Sequence, residues 1–557
     1  MKEPLDELVS AWISGDVDES DQEELRSLAR RAHSDETALT QLKDRFSHRL
    51  QFGTAGLRGV MAAGPNAMNR AVVIQATHGL VTYLQAHIDQ PKIVIGNDAR
   101  HHSRQFALDT AGVITAAGGE AILLDDPVPT PLLSFSVRHL EADAGVMVTA
   151  SHNPAADNGF KVYLGGRMVD DHARGVQIVS PHDAGIAECI DAAPHANLIP
   201  RAEGWACAGG ELRDTYLQAI SQGQRPPAPI RIVYTAMHGV GADIALAAFQ
   251  RAGFDSVTSV QSQLHPDPEF PTVAFPNPEE PGALDQAIAL AQREEADIVI
   301  AHDPDADRCA VALEDPRLGW RILHGDELGA VLGEDLATSG CTGVFANSVV
   351  SSRQLEVIAI EHGNEYVQTL TGFKWMGRVE DLGFAYEEAI GYCVRPDLVR
   401  DKDGITTGVM VARLASRLKA QGSSIMGLLD DLARRHGLYL SSQLSVRFDD
   451  QPQIPLTMDK LRISPLRELA SSPVELVADL QQGWKGLPPT DGILMKTRRD
   501  DQVIVRPSGT EPKVKCYLEV IEPVSPEAGF EELSLVRTRA AERLTTIKED
   551  LSAALFA

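Results

Sequence analysis

Cysteine is scarce in this chain of 557 residues, and the six present are scattered. Cys189, Cys207, Cys309, Cys341, Cys393 and Cys516 form no Cys-x-x-Cys pair. That excludes a zinc ribbon or a disulfide scaffold and points to reduced thiols. Positive charge is also in deficit. Lys plus Arg number 51 against 78 for Asp plus Glu, a formal net charge of −27. Nucleic acid and anionic membrane both demand a basic surface, so neither is an expected partner. No apolar run approaches the ~20 residues of a membrane span. The opening residues, Met1-Lys2-Glu3-Pro4-Leu5-Asp6, lack the basic stretch and apolar core of a signal peptide, so a cytoplasmic location is expected. An anionic substrate must then be met by positive charge gathered locally.

The length exceeds one core, and roughly three or four domains are expected. Residues 1–50 read as helices, with Ser20 capping a segment that carries Leu25, Leu28 and Ala29 on one face and Glu23 completing a capping box. Three segments then share one plan of strands alternating with helical periods, which implies βαβ units and mostly parallel sheets. The first runs from a strand at 93–96 to one at 145–148, the second from 230–234 to 297–300, the third from 344–347 to 384–386. Gln224 to Pro229 reads as a linker, and His265 to Pro281 as a long irregular loop. After about residue 440, strand-like pieces at 444–448, 492–496, 502–505 and 515–519 and a final helix at 531–551 indicate a smaller α+β domain. The expected domains are 1–222, 223–324, 325–440 and 441–557.

The most informative stretch is Thr149-Ala150-Ser151-His152-Asn153-Pro154, followed by Asn158-Gly159-Phe160-Lys161. The apolar run 144–148 ends abruptly in this polar loop. That sets a serine hydroxyl at the mouth of a strand, where open α/β sheets bind ligands. Ser151 lacks the glycines of a nucleophile elbow. Adjacent side chains diverge in an extended chain, so a hydrolase-type pair with His152 is not expected. A serine phosphoester instead needs a cation beside it and a proton carrier, for which Lys161, His152 and Lys374 are candidates.

Asp303-Pro304-Asp305-Ala306-Asp307-Arg308 follows a strand. In an extended loop its alternate carboxylates converge, and three hard oxygens suit Mg²⁺. An EF-hand reading fails because Arg308 stands where glycine is required and a strand precedes the loop. A solvated acidic turn is the plain alternative. Arg506-Pro507-Ser508-Gly509-Thr510 places a guanidinium, two hydroxyls and a glycine amide together, as an anion cradle requires; a surface turn is the alternative. Glu387 and Glu388 can accept hydrogen bonds from vicinal sugar hydroxyls, or form a solvated turn. His238-Gly239-Val240-Gly241 has Ile244 where a dinucleotide fingerprint needs its third glycine.

Taken together and in this order, these loops resemble the α-D-phosphohexomutase superfamily of phosphoglucomutase and phosphomannomutase, over about Phe52 to Tyr517. Phe52-Gly53-Thr54-Ala55-Gly56-Leu57-Arg58-Gly59 is similar to the family's opening motif. The resemblance implies four domains around a central cleft, three related mixed α/β sheet domains and a C-terminal α+β domain. It implies an isomerase that passes phosphate through a phosphoserine and a bisphosphorylated sugar. By that likeness Ser151 is phosphorylated and shares Mg²⁺ with Asp303, Asp305 and Asp307. Arg58 lies near the active site and Arg308 beside the transferring phosphate, while Lys161 and Lys374 are acid/base candidates. Glu387 and Glu388 read the sugar, and Arg506, Ser508, Gly509 and Thr510 hold the idle phosphate. Glucose 1-phosphate and glucose 6-phosphate are the expected substrates, with glucose 1,6-bisphosphate as activator. Asp403-Gly404 matches another family signature, with no role derivable from sequence. Ala389 stands where hexose mutases commonly carry serine, and Glu-Glu-Ala-Ile-Gly-Tyr is similar to the branch with phosphopentomutase and glucose-1,6-bisphosphate synthase. A pentose or mannose phosphate, or a catalytically silent sugar-phosphate binding protein, remain the rival readings.

Overall fold

The structure, a computed structural model, describes residues 2–53, 56–448, 452–507 and 513–556. It comprises two compact units: Met1–Ala312 with Gly391–Arg413, and Leu313–Ile390 with Leu414–Ala557.

The first unit opens with helices Lys2–Gly15, Glu19–Ala32 and Glu36–Arg45. Leu25 and Leu28 are buried, as their spacing predicts. The cap differs from expectation. Asp18, not Ser20, accepts the Ser20 amide, and Ser20 lies inside the helix. A carboxylate two residues earlier meets the positive helix end better than a hydroxyl does, and Glu23 pairs with Arg30 instead of closing a capping box.

Seven strands follow in one mixed sheet. Ala144–Val148, Lys92–Asn97, Glu120–Leu124 and Ala206–Ala208 run parallel. Every residue of Ala144–Val148 is buried; a strand covered on both faces loses the polar alternation of a surface strand. Asp157–Leu164 then returns antiparallel to it, with Met147 opposite Lys161. Lys161 therefore projects from a strand, and the hairpin sets it next to the serine loop. Leu57–Val60 pairs beyond, with Arg58 opposite Gly159.

The second sheet places Ile298–Ala301 between parallel Ile232–Thr235 and antiparallel Ala310–Asp315, with Val257–Ser259 outside. Helices Ala242–Arg251 and Asp285–Arg293 belong to this segment. The loop of residues 302–309 therefore links two antiparallel neighbours at the C-terminal end of Ile298–Ala301.

In the second unit, Glu365–Thr369 and Leu382–Glu387 flank Val344–Ser348 in parallel. The C-terminal part is an antiparallel sheet in the order Leu438–Arg447, Lys513–Glu522, Gln502–Pro507, Ile493–Thr497, Ser472–Asp479 and Glu468–Leu469. Helix Phe530–Phe556 packs on it. The fold is thus mixed α/β with a C-terminal α+β part. No helix among the described residues is long and apolar enough to cross a membrane.

Candidate active site

Ser151 sits in a tight turn closed by the Asn153 amide on the Ala150 carbonyl. Its backbone is left-handed, with φ of 52°. Such a conformation costs a residue with a side chain about 1–3 kcal/mol and persists only where the surroundings over-determine it. Here they do. The Ser151 amide donates to Thr149 Oγ1, and its hydroxyl donates to Asp303 Oδ2 at 2.7 Å.

His152 does not diverge from the serine. Its Nδ1 lies 3.2 Å from Ser151 Oγ, because the left-handed turn, unlike an extended chain, brings neighbouring side chains to one side. A serine hydroxyl has one proton, and Asp303 accepts it, so Nδ1 must donate. The hydrolase arrangement, in which the serine gives its proton to histidine, is absent from this geometry. Burial, then the Arg308 and Arg58 guanidiniums, hold the imidazole pKa well below its ordinary value, so the ring is neutral.

The three aspartates converge, with ligand atoms within 4.8 Å of one another, and all are buried. The cause is a turn, not the extended chain expected: the Ala306 amide closes on the Asp303 carbonyl at 2.8 Å, and Ala306 is left-handed. Two glycines make room for this loop. A side chain at Gly239 would sit 2.3 Å from Pro304 Cα, and one at Gly404 would sit 2.2 Å from the Arg308 carbonyl oxygen. The His238–Gly241 run is thus a packing surface for the acidic loop, and Gly404 of the Lys402-Asp403-Gly404 signature is a second. Asp403 accepts from Tyr216 and from the Thr406 amide, which pins the start of helix Gly404–Ala420. His302 binds this junction too, through Nε2 to the Gly404 carbonyl at 2.9 Å, with Tyr234 on Nδ1.

Cations balance the carboxylates. Lys161 Nζ lies 2.7 Å from Asp305 and 3.2 Å from Asp307, and Lys402 Nζ lies 3.4 Å from Asp307. Burial lowers the Lys161 pKa, but Asp305 and Asp307 outweigh it and hold it above the ordinary lysine value. Burial and Asp305 push Asp307 up, yet Lys402, Lys161 and Arg308 outweigh them and hold it low. Burial, then Asp307, raises Asp303. Thr130 donates to Asp305 Oδ2 at 2.7 Å. Among the described residues Asp305 Oδ1 and Asp307 Oδ1 are buried without a hydrogen-bond partner. Arg308 Nε lies 3.9 Å from Asp307 Oδ1, and hard oxygens without a hydrogen bond in a buried ring fit a small divalent cation. Arg308 donates its amide to Asp303 and approaches Glu279 at 3.7 Å, while Arg58 donates to Asn153.

Ser151, His152, Lys161, Arg58, Arg308 and the three aspartates therefore share one place in the first unit. Lys402, Thr130 and Arg100, which binds the serine loop, come from distant segments that no local pattern linked to it. The remaining candidates lie in the second unit. Lys374 is on helix Phe373–Met376. Arg506, on strand Gln502–Pro507, donates to Thr371 Oγ1 three residues before it, so those two predicted loops meet. Glu387 ends its strand and is buried. Glu388 is anchored: Ser348 and Ser351 donate to Oε2 at 3.1 and 2.9 Å. Ser508, Gly509 and Thr510 lie outside the described residues.

Comparison with known proteins agrees with this layout. Residues 49–194, 214–319 and 324–435 match domains I, II and III of phosphoglucomutase/phosphomannomutase, each described as alpha/beta/alpha. A Haemophilus influenzae protein named "probable phosphomannomutase" is 43% identical over 81% of this chain and 93% of its own. A Mus musculus phosphopentomutase is 34% identical over 93% and 90%. A phosphoglucomutase/phosphomannomutase family protein of Burkholderia thailandensis shares the fold, with a TM-score of 0.68, 20% identity and coverage of 90% and 97%. The chain belongs to the phosphoglucomutase/phosphomannomutase family and is a phosphomutase, an enzyme of the isomerase class.

Proposed function

We propose that the chain interconverts the 1-phosphate and the terminal phosphate of an aldose, with glucose 1-phosphate and glucose 6-phosphate as substrates. One observation carries this reading: the Ser151 hydroxyl is held on Asp303, inside a buried ring of carboxylates and ammonium groups. Phospho-Ser151 donates its phosphoryl group to the free hydroxyl of the sugar monophosphate and forms a sugar bisphosphate. The other phosphoryl group then returns to Ser151, and glucose 1,6-bisphosphate serves as activator. Lys161, held charged, and neutral His152 offer an acid and a base for these transfers. Asp303, Asp305 and Asp307 would hold Mg²⁺, which supplies positive charge to the transferring oxygens. Arg308 and Arg58 add fixed charge, in keeping with catalysis by positioning and electrostatics. Arg506 with Ser508, Gly509 and Thr510 holds the idle phosphate, Lys374 assists as a second acid/base candidate, and Glu387 and Glu388 read the sugar. The segments 1–222, 223–324, 325–440 and 441–557 act as the four domains, in the cytoplasm.

A second reading, pentose phosphate as substrate, is favoured by Ala389 and by the phosphopentomutase among the relatives. A site lacking that hydroxyl leaves nothing buried and unpaired when the sugar lacks its partner, so discrimination should be shallow. The test is a panel of glucose, mannose and ribose 1-phosphates assayed for mutase turnover with Mg²⁺ and catalytic sugar bisphosphate. Ala389→Ser should move the ratio towards hexose. Absence of turnover on every sugar would overturn the mutase reading, and turnover on ribose 1-phosphate alone would replace glucose by pentose.

A further inference from the structure

Arg100 takes no part in the chemistry proposed above, yet its guanidinium donates four hydrogen bonds to the serine loop and the strand that follows. Its Nη2 donates to the carbonyls of Ser151 and Asn153, both at 2.6 Å. Its Nη1 donates to those of Pro154 and Asp157, at 2.7 and 3.1 Å. Asp98, itself buried, faces Nε at 3.3 Å. The ring of Phe270 covers the guanidinium at 5.0 Å. That ring arrives on the long irregular loop of the second segment, which is tied nearby by Glu269 to His101 at 2.5 Å. Arg100 is thus buried, paired, stacked and spread over four carbonyls between Ser151 and Asp157.

This is the fork geometry for which arginine has no substitute. Five rigid N–H groups span acceptors that a lysine ammonium, a point charge, cannot reach together. The clamped turn is the one that holds Ser151 in its left-handed conformation and directs its hydroxyl to Asp303. A turn in that conformation needs external support, and Arg100 provides it from the carbonyl side.

We infer that Arg100 is the positioning residue of the phosphoryl-carrying serine, locked in place by Phe270. The inference rests on the mutase reading. It makes the long loop of residues 264–284 part of the apparatus that aims a nucleophile belonging to another segment. Its role is geometric, since among the described residues the guanidinium meets backbone oxygens, Asp98 and a ring.

The test compares Arg100→Met, Arg100→Lys and Phe270→Leu with the wild type in the full-length protein, each with Mg²⁺ present. Three quantities are read: kcat, KM for glucose 1-phosphate, and the rate at which glucose 1,6-bisphosphate loads phosphate onto the protein, followed by intact mass. Misplacing a reacting group by an ångström costs on the order of 10²-fold, so Arg100→Met should lower kcat and loading together by about that factor. KM should stay unchanged within error, because Arg506 and the sugar loop are untouched. Arg100→Lys should recover only part of the loss. Phe270→Leu removes the stacked ring and should cost roughly threefold. If Arg100→Met does not fold, Arg100→Lys and Phe270→Leu carry the test. Loading and kcat at wild-type level in folded variants would overturn the inference while leaving the mutase reading intact. A fall in kcat without a fall in loading would also overturn it. A wild type that neither loads nor turns over would sink the mutase reading, and this inference with it.

Discussion

Replacing Lys161 by Met offers a direct measure of how the acidic ring is balanced. The substitution keeps most of the stem and deletes an ammonium 2.7 Å from Asp305 and 3.2 Å from Asp307, all three groups being buried. Removing one partner of a buried ion pair costs about 3–5 kcal/mol, since the charge left behind has no counter-ion. Lys402 still faces Asp307 at 3.4 Å and Thr130 still donates to Asp305, so the lower end applies. A large unit loses roughly 2 °C of melting temperature per kcal/mol, which puts metal-free Lys161→Met about 6 °C below the wild type. Saturating Mg²⁺ restores positive charge to the same oxygens, so it should raise the variant's melting temperature more than the wild type's. Scanning calorimetry in chelator and in Mg²⁺ gives all four values. A metal-free variant that melts within about 1 °C of the wild type, or an equal Mg²⁺ effect on both, would refute the electrostatic account.

Three further outcomes are expected. Ser151→Ala should abolish turnover without loss of fold, and its intact mass should stay unchanged after incubation with glucose 1,6-bisphosphate; activity near wild type would remove Ser151 from its role. Gly404→Ala sets a methyl group 2.2 Å from the Arg308 carbonyl oxygen, so the backbone of the acidic loop must shift; Mg²⁺ affinity and kcat should fall together, by about 10²-fold in rate, and a neutral result would show the junction to be pliant. Asp21 is pushed up to about 7 from 3.8, by burial first and then by Asp16, Asp18 and Glu24. The folded chain keeps this proton where the unfolded chain has released it, so the stabilisation is complete below about pH 4 and lost as pH rises through about 7. Asp21→Asn stays neutral throughout and should gain stability over the wild type across that window, about 2 kcal/mol after allowing for partial exposure; parallel pH profiles of urea unfolding would contradict it.

Much of the architecture was legible because it rests on local patterns. The run 144–148 ends in a break of composition, and its strand ends there. The strand Glu365–Thr369 forms where Tyr366, Val367 and Thr369, all aromatic or β-branched, are gathered within four residues. Aspartates two apart were recognisable as a cluster, although the turn that gathers them was not, because Ala306 gives no sequence sign of a left-handed backbone. The helix cap lies two residues before the expected Ser20, because Asp18 and Ser20 are both competent acceptors and local sequence does not select between them. The strand that carries Lys161 is concealed in the sequence by Asn158 and Gly159, both poor strand formers. Arg100, Thr130 and Lys402 were out of reach for a different reason. Each meets the site across 51 residues of chain or more, and no periodicity encodes such a meeting.

The close approach of Gly239 and Gly404 to the acidic loop has a consequence for metal choice. At these two contacts main chain meets the acidic loop directly, so neither position has a side chain to trim. Mg²⁺ prefers oxygens at about 2.0–2.1 Å and Ca²⁺ at about 2.3–2.6 Å, and widening the ring for the larger ion would require two main-chain segments to part. A changed cation preference is therefore expected from exchange of the donors themselves, aspartate for asparagine, glutamate or histidine, sooner than from substitutions at these two glycines.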